Sequence, residues 1–227
     1  MTTPDYAWNV QKADTVIFDL DGTLLDTLDD LADSVNYCMK KYGCPLRTRE
    51  EVRQMVGNGV RVLMEKAMPQ GADHPQFSQC SADFSSYYKE HMLDTTKPFE
   101  GIDRLLEELD RRGFQLAIVS NKFDAAVKGL NETFFASHIP VAIGESPSVA
   151  RKPAPDTVFR AMEELGADPE KTIYVGDSDV DLATAKNAGL PCICVNWGFK
   201  DTDFLKAHGA GRIVSSPEEL LDAILSY

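Results

Sequence analysis

The chain is 227 residues long, 43% hydrophobic and 26% charged, with 23 basic and 36 acidic residues and a net charge of −13. That length and apolar content can bury a proper core, and the acidic excess argues against nucleic acid or an anionic membrane as a partner. No stretch approaches the roughly 18 consecutive apolar residues of a membrane span, and Met1 to Asp14 has no apolar segment of the signal-peptide kind.

The first predicted element is Val16 to Phe18, a short β-branched and aromatic run that reads as a buried strand. It ends in Asp19-Leu20-Asp21-Gly22-Thr23. On an extended backbone Asp19 and Asp21 point to the same side. Two carboxylates so close repel, which a shared proton or a divalent cation relieves; oxygen-only ligands favour a hard ion such as Mg²⁺. A plain strand ending in an Asp/Gly turn is the simpler alternative.

After Asp26 the period becomes helical. Leu28, Leu31, Ala32, Val35, Met39 and Tyr42 share one face, and Gly43 and Pro45 supply the stop. Thr48 and Glu51 make a capping box for a second helix. Gly57-Asn58-Gly59 breaks it, a third starts near Val60, and a fourth runs from about Pro75 to Met92. From Pro98 onward helices and strands alternate. Strands are predicted over Phe114 to Val119, Val141 to Ile143, Lys171 to Val175, Cys192 to Val195 and, weakly, Ile213-Val214. Helices fall between them, and a last one starts at Ser216, with Pro217 at its first position and Glu219 completing a capping box. This alternation implies an α/β fold, a Rossmann-like parallel sheet with helices on both faces. The helical block then lies between the first strand and the rest: an α/β core of residues 1–25 and 96–227, and an inserted all-helical cap of residues 26–95. Its hinges are expected near Gly22 to Asp26 and Asp94 to Glu100.

The five cysteines are odd in number and form no CxxC, so reduced thiols and a cytoplasmic location are expected. Cys192 and Cys194 face one way on a strand and read as core packing. The four histidines show no ligand spacing.

Ligands of open parallel sheets bind beyond the carboxyl ends of the strands. Asp19 and Asp21 follow the first strand, Ser120 and Asn121 another, and Gly176-Asp177-Ser178-Asp179 with Asp181 a third. A calcium loop starting at Asp177 fails, because Leu182 and Ala188 stand where it needs glycine and glutamate. A capped helix start explains one or two of these acids, but not the companion pair at Asp19 and Asp21. Lys152, in Arg151-Lys152-Pro153-Ala154-Pro155, sits in a loop stiffened by prolines and suits a phosphate; a solvated lysine before a helix is the alternative.

Taken in order, Asp19-Leu20-Asp21-Gly22-Thr23, Ser120, Lys152 and Gly176-Asp177-Ser178-x-x-Asp181 resemble the motifs of the haloacid dehalogenase superfamily of phosphohydrolases. The inserted helical cap, and Val56 to Glu65 within it, is similar to that of phosphoglycolate phosphatases. The resemblance implies Mg²⁺-dependent hydrolysis of a small, acidic phosphate monoester through an aspartyl phosphate. Asp19 would be the nucleophile and Asp21 the general acid and base, entering the first step protonated. Thr23 would support the turn. Ser120, the Asn121 amide and Lys152 would bind the phosphoryl group. The metal would be held by Asp19, the main-chain carbonyl of Asp21, and Asp177, with Asp181 in support. Arg61 is a candidate for a substrate carboxylate, set against the reading of an exposed arginine on an amphipathic helix. The resemblance sets no oligomeric state.

Asp21 argues against the dehalogenase branch, which lacks the second acid. A phosphomutase, pyrophosphatase or nucleotidase of the same fold stays open, as does a non-catalytic phosphoacceptor module, which would need neither Asp21 nor the insertion. No GxxxxGK[ST] loop is present for ATP-dependent transfer.

Overall fold

The computed structural model describes residues 12–227. Part of the reading of Met1 to Asp14, and the start of the expected core at residue 1, lie outside the described residues.

The strand that ends in the two acids, β1 (Thr15–Phe18), is at the centre of the sheet. It pairs in parallel with β4 (Gln115–Phe123) on one side and β6 (Thr172–Gly176) on the other. With β5 (Val141–Glu145), β7 (Cys192–Val195) and β8 (Ile213–Val214) the order is β5-β4-β1-β6-β7-β8. The chain works outward from β1 to β5, then returns to the far side of β1 with β6. This reversal opens a crevice at the carboxyl ends of β1, β4 and β6.

All of β1 is buried, so its residues divide between two apolar layers. Val16 and Phe18 join Leu116, Ile118, Ile173 and Val175 against α5 (Ile102–Arg111), α6 (Asp124–Phe134) and α10 (Pro217–Leu225). Ile17, Ala117, Val119 and Tyr174 face α7 (Asp156–Leu165) and α8 (Asp179–Ala188) on the other side. At about 25 cal/mol per Å² of apolar area, these two layers are the main stabilising force of the sheet.

The helical block comprises α1 (Leu28–Lys41), α2 (Arg49–Met55), α3 (Gly59–Ala67) and α4 (Phe77–His91). They share an apolar cluster of their own, including Leu31, Val35, Met39, Leu63, Met64, Phe84 and Tyr88. The Thr48–Glu51 capping box is present as expected. The chain passes to the block through β2 (Leu25–Asp26) and back through β3 (Lys97–Pro98), which pair antiparallel. Buried Asp30, in the first turn of α1, accepts from the Thr95 and Thr96 amides at 2.9 Å each and from Thr95 Oγ1.

Besides the short β2 and β3, three details differ from the sequence reading. β4 continues through Ser120 and Asn121 to Phe123, because Val119 and Phe123 keep pairing with β5 across a register shift. A short helix, α9 (Thr202–Ala207), capped by Asp201, was not expected. At α10 Ser216 caps the Glu219 amide, but Glu219 Oε2 accepts from the Ser215 amide at 2.8 Å, so the reciprocal bond is made one residue early.

Candidate active site

Each strand bordering the crevice delivers polar groups to it. Asp19 follows β1 directly and its amide donates to the Val175 carbonyl at 2.8 Å. Gly22, at φ +87°, lets the chain turn so tightly that a Cβ there would overlap Asp177 Oδ2; only glycine meets both conditions. Asp177 follows β6, and its Oδ2 accepts from the Phe199 amide at 2.6 Å.

The centre is Lys152, 3% exposed, carried by the segment between β5 and α7. Its Nζ donates to Asp19 Oδ1 at 2.5 Å, to Asp181 Oδ1 at 2.8 Å and to Tyr174 OH at 3.1 Å. Burial alone would lower its affinity for a proton; the Asp181 and Asp19 carboxylates outweigh this and hold the ammonium above the ordinary lysine range. Asp181 is saturated: Oδ1 takes Lys152 and Tyr174 OH, and Oδ2 takes the amide and hydroxyl of Ser178. The last two contacts are a capping box that starts α8. The helix-start reading and the acidic-cluster reading of this segment therefore both hold.

Carboxylate oxygens of Asp19, Asp177 and Asp181, all buried, lie within 4.8 Å of one another. Burial pushes Asp19 up to about 7 even with Lys152 alongside. Burial, with Asp181 and Asp19 adding to it, holds Asp177 well above the usual carboxylate range. The cluster is short of positive charge, and its donors are all oxygen, so the residues fit a hard divalent cation. Because four protein donors already occupy Asp181, Asp19 and Asp177 are the side chains with oxygens to give.

The other expected residues fall as follows. The Asp21 side chain turns away from this cluster: Oδ1 accepts from Thr27 Oγ1 at 2.6 Å and from Lys122 Nζ at 2.9 Å. Ser120 is buried and lines the cavity, with its Oγ accepting from the Lys122 amide at 3.2 Å. The Asn121 side chain braces the loops around the site, donating to the Lys152 carbonyl at 3.0 Å and the Gly57 carbonyl at 3.1 Å. The Thr23 hydroxyl has no partner among the described residues, so main-chain bonds to the Leu20 carbonyl hold that turn. Arg61 is exposed, its guanidinium 5.8 Å from the Phe77 ring centroid, and it does not line the cavity.

Leu31, Val56, Val60, Leu63, Phe84 and Tyr88 roof the cavity from the helical block. The Gly57–Gly59 turn also comes down onto β4, its Gly57 carbonyl accepting from the Asn121 side chain. Gly59 has φ +79°, which side chains rarely adopt, and a Cβ there would sit 3.1 Å from Glu145 Oε2 and 3.3 Å from the Asn121 carbonyl oxygen, so glycine suits this turn against β4. Phe199, from the loop after β7, inserts its ring into the helical cluster.

The sequence reading assigns no site role to Lys122, Tyr174 or Phe199, and places Tyr88 only in the core of the helical block, where it also lies. One signal was available for Tyr174: a tyrosine in a central strand must find a partner for its hydroxyl. The others meet their partners only through the tertiary fold.

The family pattern described as "Haloacid dehalogenase-like hydrolase" matches residues 16–195. A phosphoglycolate phosphatase of Aquifex aeolicus is 33% identical over 81% of this chain and 85% of its own. An N-acetylmuramic acid 6-phosphate phosphatase of Pseudomonas aeruginosa is 29% identical over 92% and 93%. A crystal structure from Lactobacillus delbrueckii subsp. bulgaricus, provisionally named a phosphoglycolate phosphatase, superposes with a TM-score of 0.91 at 35% identity, covering 96% of this chain and all of that one.

Proposed function

The chain belongs to the haloacid dehalogenase-like hydrolases, and from that membership we propose that it is a Mg²⁺-dependent phosphatase of small acidic phosphate monoesters, phosphoglycolate foremost. The observation that carries this is the buried junction of Lys152 with Asp19 and Asp181 beside Asp177. A buried ammonium and clustered carboxylates are costly to assemble, and this set matches the charges of a phosphoryl group and a cation.

In this reading Asp19 attacks phosphorus in line. Lys152 fixes the rotation of the Asp19 carboxylate and its charge offsets that of the phosphoryl group, whose oxygens the Ser120 hydroxyl and the Asn121 main-chain amide bind. Asp21 gives its proton to the departing alkoxide, then takes one from the water that hydrolyses the aspartyl phosphate; two modest steps replace one hard one. Asp19, Asp177 and the Asp21 main-chain carbonyl would hold Mg²⁺, which when bound neutralises the anionic groups that must approach each other. Residues 26–95 act as a cap: their apolar roof excludes water from the cavity over the site.

Phosphoglycolate and N-acetylmuramic acid 6-phosphate, the esters named for the two relatives, both carry a carboxylate. Of the lysines lining the cavity, Lys152 and Lys122 are paired with Asp19, Asp181 and Asp21. Lys200 has no carboxylate within 4.0 Å among the described residues. It therefore replaces Arg61 as the group to meet a substrate carboxylate. Lys200→Ala should raise KM for phosphoglycolate about tenfold, roughly one charge-assisted contact, while Arg61→Ala leaves it unchanged.

The test of the whole reading is phosphate release from a panel of small phosphate esters with Mg²⁺ and with a chelator. Turnover of acidic monoesters that the chelator abolishes is expected; no release from any monoester would overturn it.

A further inference from the structure

Lys122 follows Ser120 and Asn121 on β4, and its side chain is 4% exposed. It joins the two halves of the site. Its Nζ lies 2.9 Å from Asp21 Oδ1 on the sheet side. On the helical side it donates to Tyr88 OH at 2.8 Å and sits 4.4 Å from the Tyr88 ring centroid. An ammonium this buried is stable only where opposite charge and acceptors surround it. Here the Asp21 carboxylate and the phenol oxygen of Tyr88 supply them.

The contacts also distinguish the two oxygens of Asp21. Oδ1 already accepts from Lys122 Nζ and from Thr27 Oγ1 at 2.6 Å. An ammonium has no acceptor to offer, so a proton on Oδ1 would face a positive charge. Oδ2 has no side-chain donor among the described residues, so it is the oxygen open to the ester.

We propose that Lys122 is a positioning residue. It sets the rotation of Asp21 through Oδ1, leaves Oδ2 turned to the ester, and is itself held in place by Tyr88, so the acid is aligned when the helical block is seated over the sheet. This rests on reading Asp21 as the proton donor. The balance of the step is simple: the Oδ2–H bond breaks, its proton goes to the ester oxygen as the P–O bond breaks, and Asp21 is left as a carboxylate facing Lys122.

The test compares two esters in pre-steady-state kinetics. The alkoxide of phosphoglycolate needs a proton to leave, whereas p-nitrophenolate departs without one. Lys122→Met should slow phosphoglycolate cleavage by about 10²-fold with KM little changed, while the p-nitrophenol burst keeps its wild-type rate. Tyr88→Phe, which removes one oxygen and keeps the ring, should show the same selectivity at about tenfold, roughly one hydrogen bond. In the Lys122→Met background it should add nothing. Equal losses on both esters, no loss on either, or additive effects of the two substitutions would overturn the inference. Asp21→Asn separates the two readings: if that variant itself shows no selectivity between the esters, the proton-donor reading has failed, and Lys122 is not what was at fault.

Discussion

Lys152 shows how much one side chain can organise. It reaches Asp19, Asp181 and Tyr174 from a single buried nitrogen. Removing it would leave two carboxylates buried without their counter-ion, at a cost of about 3–5 kcal/mol. Lys152→Met should therefore lower the urea midpoint markedly in chelator, in addition to abolishing turnover. Asp19→Asn should fold normally and hydrolyse nothing, read as phosphate release below background. Asp21→Asn should slow alkyl ester cleavage by about 10²–10⁴-fold, measured under single-turnover conditions. Asp19, Asp21 and Asp177 were legible because each follows a point where an apolar run breaks into polar residues, and strand ends meet at one sheet edge; Lys152 was legible only through the prolines of its loop. Lys122 was not. It lies inside a strand, next to residues that already had a reading, and its meaning comes from Tyr88, brought to it from another element by folding.

Among the elements, boundaries marked by local chemistry were readable. Glycines closing helices, the Thr48–Glu51 box and the β-branched runs all depend on neighbours within a few residues. The six-residue α9 and the two-residue β2 and β3 were not readable, since pieces so short carry no periodicity. The same contrast applies to α1 and α4. Their apolar faces were evident, but the polar tie between them was not: Asp83 accepts from Tyr42 OH and Lys41 Nζ, at 2.6 Å each. The Lys41 ammonium and the Tyr42 hydroxyl hold the Asp83 carboxyl down to about 2, against an ordinary value of 3.8. A carboxyl depressed on folding stabilises the folded state above its ordinary value and loses that contribution as pH falls through the depressed one. Thermal melts of wild type should thus lose stability relative to Asp83→Asn between about pH 4 and 2, and the two should run parallel above that range. At the passage between block and sheet, Asp30→Ala would leave the Thr95 and Thr96 amides unpaired, at about 1–3 kcal/mol.

For the whole molecule, the governing term is the surplus of negative charge gathered in one crevice. Burial holds Asp19 and Asp177 above their ordinary range while no cation is bound. Mg²⁺ should stabilise the folded state by mass action, by about 2.7 kcal/mol at one hundred times its dissociation constant, and so raise the melting temperature. Asp177→Asn should melt no lower than wild type in chelator, because one repelling charge is gone, and should lose the Mg²⁺ response together with activity. Scanning calorimetry with and without the ion reads both. The fold class was accessible from the sequence because alternating periods leave few topologies. The join between block and sheet was not: Phe199 sends its ring into the helical cluster while its amide holds Asp177, and no local pattern links a phenylalanine after β7 to helices near the other end of the chain.

The pairing of β2 with β3 has a consequence for how such a protein diversifies. The chain leaves the sheet and comes back to it through neighbouring strands, one interstrand spacing of about 4.8 Å apart. Whatever is spliced between those two points need only have abutting ends. The sheet registers close without it, so a different roof could be grafted there as a cassette, changing which molecules are admitted while the chemistry beneath is inherited intact.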